Sequence, residues 1–219
     1  MIRVKDLNKD YRTGRVVVHA LRGVDFEVEE GGFTAVAGPS GCGKSTLLYL
    51  LGGLLKATSG RAEIDGFDIT GASDSQLTAF RRDNIGFVFQ KFNLIGALSV
   101  YDNLRIACRI QGRLEGAGSR IRKMLERVGL EHKLDMRPLD LSQGEQQRVA
   151  VARALIKEPK ILLADEPTGN LDSENSLNIM DLFRSMSSDH GHTILMITHD
   201  RTLASMTDRI IEMKDGRTL

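Results

Sequence analysis

The chain has 219 residues, 41% of them hydrophobic and 27% charged, the make-up of a soluble globular protein. That length suits a single α/β domain, or a core with a substantial insertion, and it buries enough surface to need no covalent staple. A formal net charge of +1 excludes a global field that would recruit nucleic acid or anionic lipid, so any such contact is local.

The opening Met1-Ile2-Arg3-Val4-Lys5 has no apolar signal core. No apolar run nears the ~20 residues of a membrane span, and the chain is expected not to cross one. Residues 2–30 read as two or three strands, at 2–4, 16–18 and 24–28. The last alternates apolar and polar, as a half-exposed antiparallel strand does. Tyr11 falls in a turn-like segment from Lys9 to Gly14. An aromatic there either stacks on a base or is an ordinary surface tyrosine.

Phe33-Thr34-Ala35-Val36-Ala37 reads as a buried strand, and it runs into Gly38-Pro39-Ser40-Gly41-Cys42-Gly43-Lys44-Ser45-Thr46. This fits G-x-x-x-x-G-K-[ST], the loop that holds the phosphates of a nucleoside triphosphate. Glycines permit φ > 0 and let backbone N–H groups approach phosphate with no Cβ between them. The helix to follow, with Leu47, Leu48, Leu50 and Leu51, presents unpaired N–H groups and a positive dipole end to the same anion. In this pattern Lys44 reaches the β- and γ-phosphates and the Ser45 hydroxyl ligates Mg2+. A glycine-rich turn that binds nothing is the plain alternative. A dinucleotide fold is disfavoured, because Thr46 stands where its third glycine or alanine belongs. Cys42 and Cys108 have neither metal-type spacing nor a disulfide framework, which points to a reducing cytoplasm; Cys42, inside the loop, is either a reactive thiol or a tolerated small residue.

Next come a strand at 61–64, the hairpin signal Asp65-Gly66, a helix near 74–82 and a buried run at 85–89 ending at Gln90. An amide at that strand end can reach Mg2+ or an attacking water; a surface glutamine is the alternative. Residues 91–98 put Phe92, Leu94, Ile95, Ala97 and Leu98 into a loop, which suggests either a docking surface or a buried crossover. Residues 100–134 are helical, with Ile121, Met124, Leu125 and Val128 at helical spacing, a flexible break at 112–118 and a stop at Gly129. They read as a helical insertion, set off from the core by Arg137-Pro138.

Leu141-Ser142-Gln143-Gly144-Glu145 opens an alanine-rich helix, and Ser142-x-x-Glu145 is a capping box. The same helix start is a second anion site with no lysine of its own, so two phosphate sites in one chain suggest a dimer in which they face each other. Residues 161–164 form a short parallel-type strand ending in Asp165-Glu166-Pro167, where the first acid can hold Mg2+ and the second can polarise water. Gly169-Asn170-Leu171-Asp172 is a turn that starts a helix with Ile179, Leu182, Phe183 and Met186 inward. The last buried strand, 193–197, delivers His199 to the same sheet edge, which favours contact with a γ-phosphate. His19, His132, His190 and His192 read as solvated loop residues, and residues 210–216 close the chain as a hairpin.

Taken in this order the motifs resemble the nucleotide-binding subunit of an ABC transporter over essentially the whole chain. They are the aromatic Tyr11, Walker A at Gly38 to Thr46, Q-loop Gln90, signature Leu141 to Glu145, Walker B ending in Asp165 and Glu166, D-loop Asn170-Leu171-Asp172 and switch His199. The segment from Gln90 to Leu104 looks like the branch serving lipoprotein release, macrolide export and the cell-division ABC complex. The signature departs from Leu-Ser-Gly-Gly-Gln at Gln143 and Glu145, while Ser142 and Gly144 remain.

The resemblance implies an α/β fold: a RecA-like P-loop core with a mainly parallel sheet, an antiparallel β subdomain and an inserted α-helical subdomain. It implies one ABC ATPase domain over 1–219, with the core near 1–90 and 158–219 and the helical part near 91–157. It implies a homodimer with ATP sandwiched between each P-loop and the other copy's Ser142, Gln143, Gly144 and Glu145, with Asp172 also at the nucleotide interface. Tyr11 would stack on adenine and Lys44 would bind the β- and γ-phosphates. Ser45 and Gln90 would ligate Mg2+, with Asp165 holding it through water. Glu166 would act as general base or water-orienting group, and His199 would clamp the γ-phosphate. Permease subunits would dock near residues 90–98, at the cytoplasmic face of the inner membrane, with no nucleic acid involved and the isolated chain soluble. The competing readings are an ABC ATPase that signals across the membrane without transport, a soluble ABC ATPase of DNA repair or translation, and a switch that does not hydrolyse.

Overall fold

The computed structural model describes Met1–Leu219. The N-terminal residues form one long bulged hairpin, β1 (Ile2–Thr13) and β2 (Val16–Val28), turning at Gly14-Arg15. This differs from the expected short strands. The polar stretch 8–15 lacks alternation, yet bulges between Val4 and Asp10 absorb the irregularity and keep the ladder going. Tyr11 therefore lies on β1 opposite Val18 and not in a turn.

After β3 (Phe33–Ala37), buried at every position, come α1 (Lys44–Leu51), β4 (Ser59–Ile64), β5 (Phe67–Asp68), α2 (Asp74–Asn84) and β6 (Ile85–Phe89). The helical stretch is two helices, α3 (Val100–Ile110) and α4 (Ala117–Arg127), with Gly129 at φ 70 just beyond the second. Then follow α5 (Gln143–Leu155), β7 (Ile161–Asp165), α6 (Ser173–Ser188), β8 (Thr193–Thr198), a short α7 (Arg201–Ala204), and the closing hairpin of β9 (Arg209–Lys214) and β10 (Arg217–Thr218). The turn α7 was not legible as a helix; the Asp200 carboxylate starts it by accepting the N–H groups of Thr202 and Leu203.

The strands make two sheets. One is antiparallel, in the order β2-β1-β4-β5; the other runs β10-β9-β3-β8-β7-β6 and is parallel from β9 to β6. Alternation in the parallel strands divides the core in two. Val36, Leu163, Leu195 and Ile197 face α1 and the antiparallel sheet, whereas Phe33, Ala35, Leu162, Ala164, Ile194 and Met196 face α5 and α6. Register aligns Ala37 with Thr198, Ile197 with Asp165, and Asp165 with Phe89, so four strands end at one edge and release their loops side by side.

Two histidines depart from expectation. His19 is on β2, with Nδ1 2.7 Å from Asp10 Oδ1. His192 is half-buried against the Pro159 carbonyl, and burial pushes its pKa below the usual imidazole value. Cys42 and Cys108 are both buried and free.

Candidate functional site

The loop between β3 and α1 lies tight on its neighbours. A Cβ on Gly38 would stand 2.1 Å from the Met213 carbonyl oxygen, and one on Gly43, at φ 104, 2.4 Å from that of Ala20. Only glycine permits these approaches. No side chain caps the start of α1, so its first-turn N–H groups and positive dipole end are directed into the loop. Lys44 is buried, its ammonium folded over the loop and donating to the carbonyls of Gly38 (2.8 Å) and Pro39 (2.9 Å). Buried Cys42 lies beneath it, with Sγ 4.0 Å from Nζ. Backbone donors and one buried cation make a concavity suited to a polyanion.

This concavity is the floor of a cleft of about 590 Å³. Ser40, Gly41 and Gly43 to Thr46 form one side, Val18 to Ala20 and Arg22 of β2 another, with Asp215, Gly216 and Glu166 at the rim. The Tyr11 hydroxyl is 3.5 Å from Thr46 Oγ1, and the residue is 39% exposed beside the loop.

Asp165 and Glu166, consecutive at the end of β7, have different settings. Asp165 is nearly buried; its Oδ1 accepts from Ser45 Oγ at 3.2 Å and its Oδ2 from Tyr49 Oη at 2.7 Å. Burial first, then the bond and charge of Asp165, push the Tyr49 pKa up to about 12, so its hydroxyl stays a donor. The Ser45 hydroxyl and Asp165 carboxylate beside a phosphate-sized cradle are the all-oxygen donor chemistry a hard divalent cation takes. Glu166 turns away, its backbone at φ 44, a left-handed conformation uncommon for a residue with a side chain. Its N–H donates to the Ile197 carbonyl at 3.1 Å, and its Oε2 lies 3.1 Å from His199 Nδ1. A second cleft, about 480 Å³, continues from Glu166 and His199 along the start of α6.

Gln90 follows β6 at the same edge, but its amide Nε2 is 3.5 Å from Asn170 Oδ1, and Asn170 donates back to the Gln90 carbonyl at 2.8 Å. Its side chain is thus engaged with the loop before α6 and bonded to neither Ser45 nor Asp165. Asp172 caps α6, accepting the Asn175 N–H at 2.8 Å.

Ser142, Gln143, Gly144 and Glu145 are not brought to the cleft of their own chain. Ser142 Oγ accepts the Glu145 N–H at 3.3 Å and Glu145 Oε2 accepts the Ser142 N–H at 2.9 Å, the reciprocal box expected. Lys133 adds a contact the sequence did not announce, its ammonium 2.5 Å from Glu145 Oε1. Chiefly that bond, aided by Ser142, holds the Glu145 pKa down at about 2. Gly144 is buried against α6, where a Cβ would meet Asn175 Oδ1 at 2.1 Å. Of the residues sequence reasoning missed, Tyr49 had a signal, standing one helical turn after Ser45 on the same face. Lys133 had none, being brought to Glu145 by a turn outside both helices.

Residues 21–169 match the family model described as ABC transporter. The chain is 42% identical over 221 residues to the uncharacterized ABC transporter ATP-binding protein MJ0796 of Methanocaldococcus jannaschii, covering 99% of this chain and 94% of that one. It is 40% identical over 220 residues to the macrolide export ATP-binding/permease protein MacB of Mannheimia succiniciproducens, covering all of this chain and 34% of that protein. The chain thus spans about a third of the length of its MacB relatives. A dimeric structure of the MJ0796 cassette in a post-hydrolysis state with ADP and Pi superposes with a TM-score of 0.91 at 40% identity, covering 100% of this chain and 96% of that one.

Proposed function

The chain belongs to the ABC transporter family, and we propose that it binds and hydrolyses ATP as the subunit that energises a membrane transporter. The observation that carries this reading is the meeting, at one sheet edge, of the Lys44 loop, the Ser45–Asp165 pair and the Glu166–His199 pair. Tyr11 offers its ring to adenine, and the loop N–H groups with Lys44 hold the β- and γ-phosphates. Ser45, Gln90 and Asp165 would hold Mg2+, Asp165 through water, and the ion would neutralise phosphate charge. Glu166 orients the attacking water and accepts its proton as the new P–O bond forms, while the bond to the β-phosphate breaks and ADP leaves with the electron pair. His199, donating from Nδ1, fixes the Glu166 carboxylate and would clamp the γ-phosphate.

A second copy completes each site with Ser142, Gln143, Gly144 and Glu145, and with Asp172 close by. Ligand bound across such an interface favours the closed dimer, and hydrolysis removes that preference. The helical part near 91–157 passes the motion to permease subunits through residues 90–98, where Ile95 and Ala97 are exposed. No helix is long and apolar enough to cross a membrane, and we place the chain peripherally, at the cytoplasmic face of the inner membrane beside its permease.

The test is Glu166→Gln. That variant binds ATP, shifts from monomer to dimer on gel filtration only with ATP, and turns over at least ~10²-fold more slowly, the usual worth of a general base. Hydrolysis at the unaltered rate refutes the assignment.

A further inference from the structure

We infer that Tyr49 is a positioning residue for the cation site: its hydroxyl locks the Asp165 carboxylate so that the group presents a fixed face to the ion beside Ser45. The inference rests on the reading of this cleft as a Mg2+–ATP site. A carboxylate rotates readily about its last torsion, which is broad and two-fold, so one hydrogen bond leaves its plane loosely set. Asp165 has two, one on each oxygen, from Ser45 Oγ at 3.2 Å and from Tyr49 Oη at 2.7 Å.

Both donors come from α1, one turn apart, and the carboxylate ends β7 beneath them. The Ser45 hydroxyl spends its proton on Asp165 and keeps its lone pairs for a cation. Tyr49 has no such freedom. It is half-buried against the core beneath α1, and its one polar contact is Asp165. Ser45 therefore serves both the carboxylate and the ion, while Tyr49 serves the carboxylate alone. That division of labour is the outer-shell support that holds ligands in position around metals.

The experiment uses the full chain carrying Glu166→Gln, so that ATP persists, with and without Tyr49→Phe. ATP affinity is measured in EDTA. In separate samples free of EDTA, with protein in excess over ATP, Mn2+ is titrated in and the free ion followed by electron paramagnetic resonance. Phe keeps the ring and removes only the hydroxyl, and thermal melting checks that the fold is retained. The expected result is ATP affinity in EDTA within about twofold of the parent and Mn2+ affinity of the ATP-loaded protein lower by about tenfold, as for loss of an outer-shell partner. Equal Mn2+ affinity overturns the inference. A parallel loss of ATP affinity in EDTA also overturns it, since that marks a role in shaping the loop. If the Glu166→Gln parent itself binds no ATP, the nucleotide-site reading fails and takes this inference with it. Normal ATP binding with unmoved Mn2+ affinity sinks only the inference.

Discussion

Replacing Lys133 by methionine removes the cation from Glu145 while keeping most of the side chain's apolar volume. Glu145 has its pKa lowered from 4.5 to about 2, and at ~1.4 kcal/mol per pH unit this is a preference of about 3 kcal/mol for the ionised form in the folded chain. The Lys133 bond is the largest cause and burial opposes it; the Ser142 N–H and hydroxyl and the Lys133 charge add smaller lowering contributions. The two side chains keep 22% and 17% of their surface in water, so screening reduces the share assignable to Lys133 to roughly 1–2 kcal/mol. Because the folded pKa is the lower one, this stability is fully present above pH 4.5 and is lost as pH falls toward 2. Urea denaturation at neutral pH should show Lys133→Met less stable by that amount, about 3–6 °C in melting temperature for a domain of this size. Glu145→Gln supplies the control. Its amide oxygen can still accept the Ser142 N–H, but no charge remains to be compensated, so adding Lys133→Met to it should cost little. An equal cost in both backgrounds refutes the ion pair as the cause.

Two further substitutions follow from contacts at the start of α5 and beside the Lys44 loop. Gly144→Ala drives a Cβ to 2.1 Å from Asn175 Oδ1, and should destabilise the chain by about 1–3 kcal/mol; adding Asn175→Ala should recover most of it in the same urea assay. Tyr11→Phe should hold ATP as well as the parent while Tyr11→Ala loses about 1–3 kcal/mol of binding by calorimetry, since a stacking platform needs the ring and not the hydroxyl. Equal losses in both would show that the 3.5 Å approach of its hydroxyl to Thr46 matters instead.

The fold was legible where the pattern was local. The buried runs at Phe33–Ala37 and Ile161–Asp165 became central parallel strands, and the Asp65-Gly66 and Asp215-Gly216 turns became hairpins. The bulged N-terminal ribbon was not legible, because its order comes from pairing with β4 and with itself across a polar stretch. The site divides the same way. Lys44, Ser45, Asp165 and Glu166 could be named because loop and strand-end chemistry has short-range spacing. What the spacing cannot show is direction: Asp165 and Glu166 are neighbours, yet one faces Ser45 and the other His199, a split made by the left-handed backbone at Glu166. His192 was misread for the same reason, since only the fold brings Pro159 against it.

The start of α5 is tied to the sheet edge that carries Glu166 more firmly than its distance in sequence suggests. One turn below Gly144, Gln147 is fully buried, and its amide donates to the Pro167 carbonyl at 2.5 Å and lies 3.5 Å from that of Phe89. Pro167 follows Glu166 and Phe89 precedes Gln90, so one side chain holds the ends of β7 and β6 to the helix that Ser142 caps. Gly144 abuts Asn175, which Asp172 anchors, and Asn170 of that same turn holds Gln90. Moving α5 away from the sheet would strand a buried amide and a buried carbonyl at about 1–3 kcal/mol apiece. The start of α5 that Ser142 caps and the edge that carries Glu166 are thus joined through Gln147 and through the Gly144–Asn175 contact.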